Sequence, residues 1–272
     1  MTCNFDWYQA TLDEVPRTIA DAVAAAFPET ASVEDGRGRN GYSQGLYVRD
    51  GEGETIASIF SGGMDAPPNC FASGSNAQRF AGVIREHWPS AHKVTRLDSA
   101  ADVPGEFWDL VGKLKPLALA KGLKHRTWDE GDPADGSTFY IGSKASRVMC
   151  RLYEKGKELR AKGHPVTDEQ LGLVRFEVQL RPTKEGRLTA AILEPSQAWG
   201  ATHWTRDLAL NFIGVDASRQ PMQFKLLSAF EQKVGHMTNA YGATLRELRK
   251  RAGTPLGLAL VLSYLLDGEG DE

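Results

Sequence analysis

Long apolar runs are missing from this chain of 272 residues. No stretch of about 18 apolar residues occurs, the length a bilayer-crossing helix needs. The longest candidate, Leu256 to Leu266, is broken by Gly257 and Ser263. The opening MTCNFDWYQATLDEVP has neither a basic region nor an apolar core, so no secretory signal is expected. Cysteine is scarce: Cys3, Cys70 and Cys150 stand far apart with no CxxC spacing. That excludes a disulfide scaffold and a structural zinc site, and points to a reducing, cytoplasmic setting. Also absent are GxxxxGK[ST], HExxH and GxSxG, and the six histidines never form an H-x-H pair. The glycine-rich GRGRNG at Gly36 to Gly41 neither follows a strong strand nor opens a helix, which argues against a phosphate-binding loop.

An overall excess of positive charge is lacking too. Thirty-two Lys and Arg face 35 Asp and Glu, a net charge of −3. The distribution is uneven, however. Between Lys144 and Lys162, seven cations (Lys144, Arg147, Arg151, Lys155, Lys157, Arg160, Lys162) meet only Glu154 and Glu158, a local +5. Lys113, Lys115, Lys121, Lys124 and Arg126 form a second cluster upstream. Such clusters either meet phosphates or form a solvated face.

What is present reads as strands first and helices later. Asn4 to Ala10 is an opening strand, and Val15 to Phe27 a helix with Ile19, Val23 and Ala26 on one side. Strands are expected at Gly45 to Arg49, Thr55 to Phe60 and Val94 to Leu97, and helices at Ser75 to His87 and Val103 to Gly122. Thr138 to Gly142, Val148 to Tyr153 and Val174 to Leu180 are β-like by composition and alternation. Beyond Pro195 the pattern turns helical, with a three-and-four-residue apolar stripe from Phe224 to Leu248. The expected division is 1–194 and a helical extension, 195–272.

Side chains alternate across a strand, so residues i and i+2 share a face. In VTRLD, Arg96 and Asp98 project together, opposite Leu97. In VMCRLY, Arg151 and Tyr153 share the face opposite Val148, Cys150 and Leu152. In VRFEVQLR, Arg175, Glu177, Gln179 and Arg181 oppose Val174, Phe176, Val178 and Leu180. If the three strands pair, one polar face collects two carboxylates, a tyrosine and several arginines. Carboxylates hold hard divalent cations, such a metal stabilises charge at a phosphoryl centre, and arginine matches phosphate oxygens. The same alternation also arises when half-buried strands carry Arg–Glu pairs for stability alone.

VTRLDSAADV, STFYIGSKASRVMCRLYEKGKE and VRFEVQLR, in that order, resemble the signature blocks of the replication initiation factor family. This family comprises initiators of rolling-circle plasmids and filamentous phages and is related to relaxases of some conjugative elements. The likeness runs from about Phe5 to Arg181. It implies an α+β fold: an antiparallel sheet with helices packed on one face, a relaxase-like catalytic core, and catalysis on the open face.

The resemblance also implies a chemistry. Tyr153, within Arg151-Leu152-Tyr153-Glu154-Lys155, would be the nucleophile, with Arg151 and Lys155 as its catalytic neighbours. Asp98 and Glu177 would hold Mg2+ or Mn2+, and Asp102 matches a further family acid. The strand before the RLD block, TIASIFSGG, lacks the acid some relatives carry there, leaving His92, Asp6 or water as a third ligand. Arg96, Lys144, Arg147, Lys157 and Arg175 would contact DNA. Implied partners are origin DNA, duplex and single-stranded, and a host helicase and DNA polymerase, in the cytoplasm of a bacterial cell, with no membrane; a homodimer is left open. A conjugative relaxase with the same chemistry, or a DNA-binding regulator without it, would share these features.

Overall fold

The computed structural model describes residues 2–28, 30–63, 66–129, 131, 134, 136–143, 145–220 and 229–266. The chain forms two compact units, Met1–Phe224 and Lys225–Glu272. The first is built on ten strands: β1 (Asn4–Leu12), β2 (Ser32–Arg37), β3 (Gln44–Arg49), β4 (Thr55–Ser61), β5 (Asn69–Ser73), β6 (His92–Pro104), β7 (His125–Asp129), β8 (Ser137–Ile141), β9 (Val148–Glu154) and β10 (Leu173–Leu180). They make one antiparallel sheet in the order β2-β3-β4-β5-β1-β6-β10-β9-β8-β7.

The alternation of the central strands decides which face is covered. Tyr8, Leu97, Phe176, Val178, Leu180, Cys150 and Leu152 are buried in one apolar cluster. Against it pack helices α1 (Pro16–Ala26), with Ile19 and Val23, and α2 (Asn76–His87), with Phe80 and Ile84. Burying each such side chain is worth about 1.5–3 kcal/mol. The result is the antiparallel α+β arrangement expected. Helix α3 (Phe107–Ala120) contributes Phe107, Val111, Leu114 and Ala118 to the same cluster.

The helical character beyond Pro195 is present, as Pro195–Ala198 and His203–Leu208, and this segment lies within the first unit. The fully buried Trp199 donates its indole N–H to Ser99 Oγ at 3.2 Å, and that hydroxyl donates to Pro195 O at 2.7 Å. The compact unit therefore extends past residue 195, to Phe224. The second unit contains helices Ala229–Ala252 and Pro255–Leu266. The expected stripe from Phe224 begins outside the described residues. Among the described residues no helix is long and apolar enough to cross a membrane.

Several boundaries differ from the sequence reading. Strand β6 runs to Pro104, so the expected helix from Val103 begins only at Phe107. The reason is tertiary: Ala100 to Val103 pair with Val174 to Glu177 of β10, overriding their weak β propensity. Strands β2, β5 and β7 were not expected. Two of them, β2 and β7, are the sheet's edges, where exposed and charged residues replace apolar alternation.

Candidate active site

The open face is assembled by strand register. Gln179 of β10 stands opposite Asp98 of β6, Glu177 opposite Ala100, and Arg175 opposite Asp102. On the other side of β10, Glu177 faces Arg151 and Arg175 faces Tyr153, both on β9. Tyr153, Glu177 and Asp98 therefore lie on a diagonal across β9, β10 and β6. Diagonal neighbours of this kind sit about 7–8 Å apart.

Each carboxylate meets an arginine. Asp98, 1% exposed, accepts both a bond from Arg96 Nε at 2.9 Å and a second from Arg96 Nη2. Glu177, equally buried, accepts from Arg151 Nη2 at 2.7 Å. Arg175 donates to Asp102 through Nε at 2.6 Å and Nη2 at 2.7 Å, and to Asp6 through Nη1 at 2.7 Å. Asp6 reaches this face because β1 shifts register between Phe5 and Trp7, and such a bulge re-aims the intervening side chain. Arg96 is held in turn by the Trp7 ring, 4.2 Å below its guanidinium carbon, and Trp7 stacks on Phe71 at 4.9 Å and 8°. Arg96 and Arg175, expected at DNA, thus have carboxylate partners within the sheet.

Electrostatics oppose ionisation at the tyrosine. Tyr153 is 7% exposed, and burial, Glu177 and Asp6 together push its hydroxyl well above the ordinary tyrosine range; Arg175 only partly offsets them. The neighbouring cations are themselves paired with acids, Arg151 with Glu177 at 2.7 Å and Arg175 with Asp102 at 2.6 Å. Arg151 and Lys155 lie 5.2 and 5.8 Å from the ring centroid, and Lys155 is tied to Glu158 at 2.7 Å. Glu177 is raised well above the carboxylate range by burial and by Asp98, against the pull of Arg151.

The basic segment is quieter than its count suggests. Lys157 pairs with Glu154 at 2.7 Å and Lys162 with Glu158 at 2.6 Å. Arg147 ends up half-buried just before β9, and Lys144 lies outside the described residues. The turn out of β9 is tight: helix α4 (Lys155–Ala161) starts immediately, and a Cβ on Gly156 would meet Gln170 O at 2.2 Å. Only glycine permits that approach, which fixes Lys155 beside Tyr153.

Among the described residues no three His, Cys, Asp or Glu side chains converge as a ready metal cluster. Yet Glu177 Oε1 and Gln179 Oε1 are buried without a hydrogen-bond partner. Gln179 donates its amide to Asp98 Oδ2 at 3.2 Å, so its carbonyl oxygen is the end turned away from that carboxylate. Two orphaned acceptors beside a buried carboxylate suit a hard, oxygen-seeking cation. His92 does not take part: its nitrogens bond Tyr8 Oη at 2.9 Å and Trp88 O at 2.6 Å within the core. Gln179 was visible in sequence as a member of the polar row, but an amide there carries no signal of its own.

Residues 92–204 match the model of the Rep_trans family, replication initiation factor. This segment contains β6, β9 and β10 and all of Asp98, Tyr153 and Glu177. No curated protein sequence matches the chain. Among solved structures, the chain resembles the rolling-circle replication initiator protein of Geobacillus stearothermophilus with a TM-score of 0.50 and 19% identity, over 73% of this chain and 83% of that one. From His92 to Trp204, therefore, this chain is similar to the replication initiation factors, and it shares its fold with a rolling-circle initiator.

Proposed function

We propose that the protein is a rolling-circle replication initiator: a site-specific, metal-dependent single-strand DNA endonuclease and strand transferase with Tyr153 as nucleophile. The observation that carries the reading is the diagonal of Tyr153, Glu177 and Asp98 on one open sheet face, inside the segment similar to the replication initiation factors.

In the proposed reaction the Tyr153 oxygen attacks the phosphorus of a phosphodiester. A phosphorus–oxygen bond to tyrosine forms as the bond to the 3′ oxygen breaks. One proton passes from the tyrosine hydroxyl to the departing oxygen, leaving a 3′-OH and a 5′-phosphotyrosine. One phosphodiester replaces another, so joining by the reverse step needs no nucleotide. Asp98 and Glu177, with the orphaned Gln179 Oε1 beside them, would hold Mg2+ or Mn2+. A divalent ion bound there supplies charge stabilisation at the phosphoryl oxygens. Arg151, over the tyrosine ring, and Lys155 keep the ring oriented. A host polymerase would extend the 3′ end while a helicase unwinds the parent strand.

Incubating the protein with supercoiled origin plasmid and Mg2+ or Mn2+ tests the proposal. Nicked circles carrying covalently attached protein are expected. Binding without nicking would leave a regulator instead.

A further inference from the structure

A cleft of about 280 Å³ opens beside Tyr153. Its floor is a row of three side chains in register across the sheet: Trp128 of β7 stands opposite Thr138 of β8, which stands opposite Tyr153 of β9. Strands lie about 4.8 Å apart, so the indole starts about 10 Å from the tyrosine. Helix α4, with Glu158 and Ala161, and Lys162 just after it form one wall. Trp128 is 56% exposed, although it borders a site whose other aromatic residue, Tyr153, is buried.

The charge of this cleft differs from that of the carboxylate–arginine face next to it. Arg151 and Lys162 line it, and so do Glu154 and Glu158. The last two are already paired, to Lys157 at 2.7 Å and to Lys155 at 2.7 Å. A net-neutral cavity with an exposed indole is poorly suited to a phosphate. It suits a flat, uncharged, hydrogen-bonding ring. A nucleobase fits this description: every base has a π-face for an aromatic side chain and edges for polar groups such as the Thr138 hydroxyl and the Glu158 carboxylate.

We propose that this cleft is the binding subsite for a nucleobase flanking the cleaved phosphodiester, with Trp128 as its stacking partner. The proposal rests on the reading of Tyr153 as the nucleophile, which makes the neighbouring nucleotide the one within reach of the indole. Trp128 would then bias which nucleotides can flank the nick, while the sheet face beside it handles the phosphate.

The test uses the full chain and a single-stranded oligothymidylate carrying 5-iododeoxyuridine, irradiated and mapped by peptide mass. Crosslinking at Trp128 is expected, in the wild type and equally in Tyr153→Phe, since stacking needs no hydroxyl. Trp128→Ala should weaken oligonucleotide binding by roughly ten- to a hundredfold, the loss of one base stack, while Trp128→Phe keeps most of the affinity. Crosslinks confined to other residues, or an affinity unchanged in Trp128→Ala, would overturn the proposal. A wild type that forms no covalent adduct on origin DNA but still crosslinks at Trp128 would instead overturn the role of Tyr153.

Discussion

Tyr153 stands directly opposite Arg175, yet the guanidinium is turned toward Asp102 and Asp6 rather than left free to draw a proton from the phenol. Arg175 thus joins β10 to both β6 and β1 on the reactive face itself. Its first consequence is structural. Arg175→Gln would leave two aspartates facing each other without a shared cation, and losing one partner of a mostly buried pair costs about 3–5 kcal/mol. Denaturant unfolding should register a loss at the lower end of that range, because Asp102 is 34% exposed. An unchanged midpoint would mean that the bridge is dispensable.

Tyr153→Phe removes one hydroxyl and opens no cavity. Covalent adducts and nicked circles should disappear, while the melting temperature and oligonucleotide affinity stay near the wild-type values. Adducts of normal yield in this variant would move the nucleophile elsewhere, and Tyr140, across the strand pair from Arg151, is the first place to look.

Metal binding separates the carboxylates from the amide. Asp98→Asn and Glu177→Gln should each weaken Mn2+ binding, measured by calorimetry, and slow nicking by orders of magnitude, since a metal contributes several kcal/mol of charge stabilisation. Gln179→Leu should weaken Mn2+ binding less than either, and Gln179→Glu should strengthen it. If wild-type nicking persists in EDTA, the metal has no role.

Acid should unfold the protein partly through His92. Burial holds its pKa below the ordinary 6.5, so the native state binds fewer protons than the unfolded chain between the two values. The stability this neutral imidazole allows is fully present above 6.5 and is lost as the pH falls through the window below it. His92→Gln should show a flatter decline in melting temperature there; a parallel decline would assign the acid sensitivity to other groups.

DNA affinity should depend on salt through the basic segment that flanks Tyr153. Neutralising Lys144 and Arg147 together should lower the slope of log affinity against log salt on duplex DNA by up to about 1.8, at about 0.9 per phosphate contact. Lys157 and Lys162, already facing Glu154 and Glu158, should contribute less. Titrations at several salt concentrations distinguish the two pairs, and an equal effect of both would show that the internal ion pairs open on binding.

The sequence by itself determined which side chains share a face. The two-residue period of VTRLD, VMCRLY and VRFEVQLR is local, and it grouped Asp98 with Arg96, Tyr153 with Arg151, and Glu177 with Arg175 and Gln179. The order of these blocks carried the likeness to the replication initiation factors. Only the tertiary structure decided that β10 lies between β6 and β9, which turns three separate groups into one diagonal. Strand neighbours far apart in sequence are chosen by burial of a common apolar face, here Leu97, Phe176, Val178 and Leu152, and no local propensity encodes that choice. The same holds for the bulge that aims Asp6 at Arg175, for the pairing of Arg151 with Glu177, and for the polar edge strands β2 and β7. Each depends on what lies across the sheet or on nothing lying there, and a chain read residue by residue contains neither.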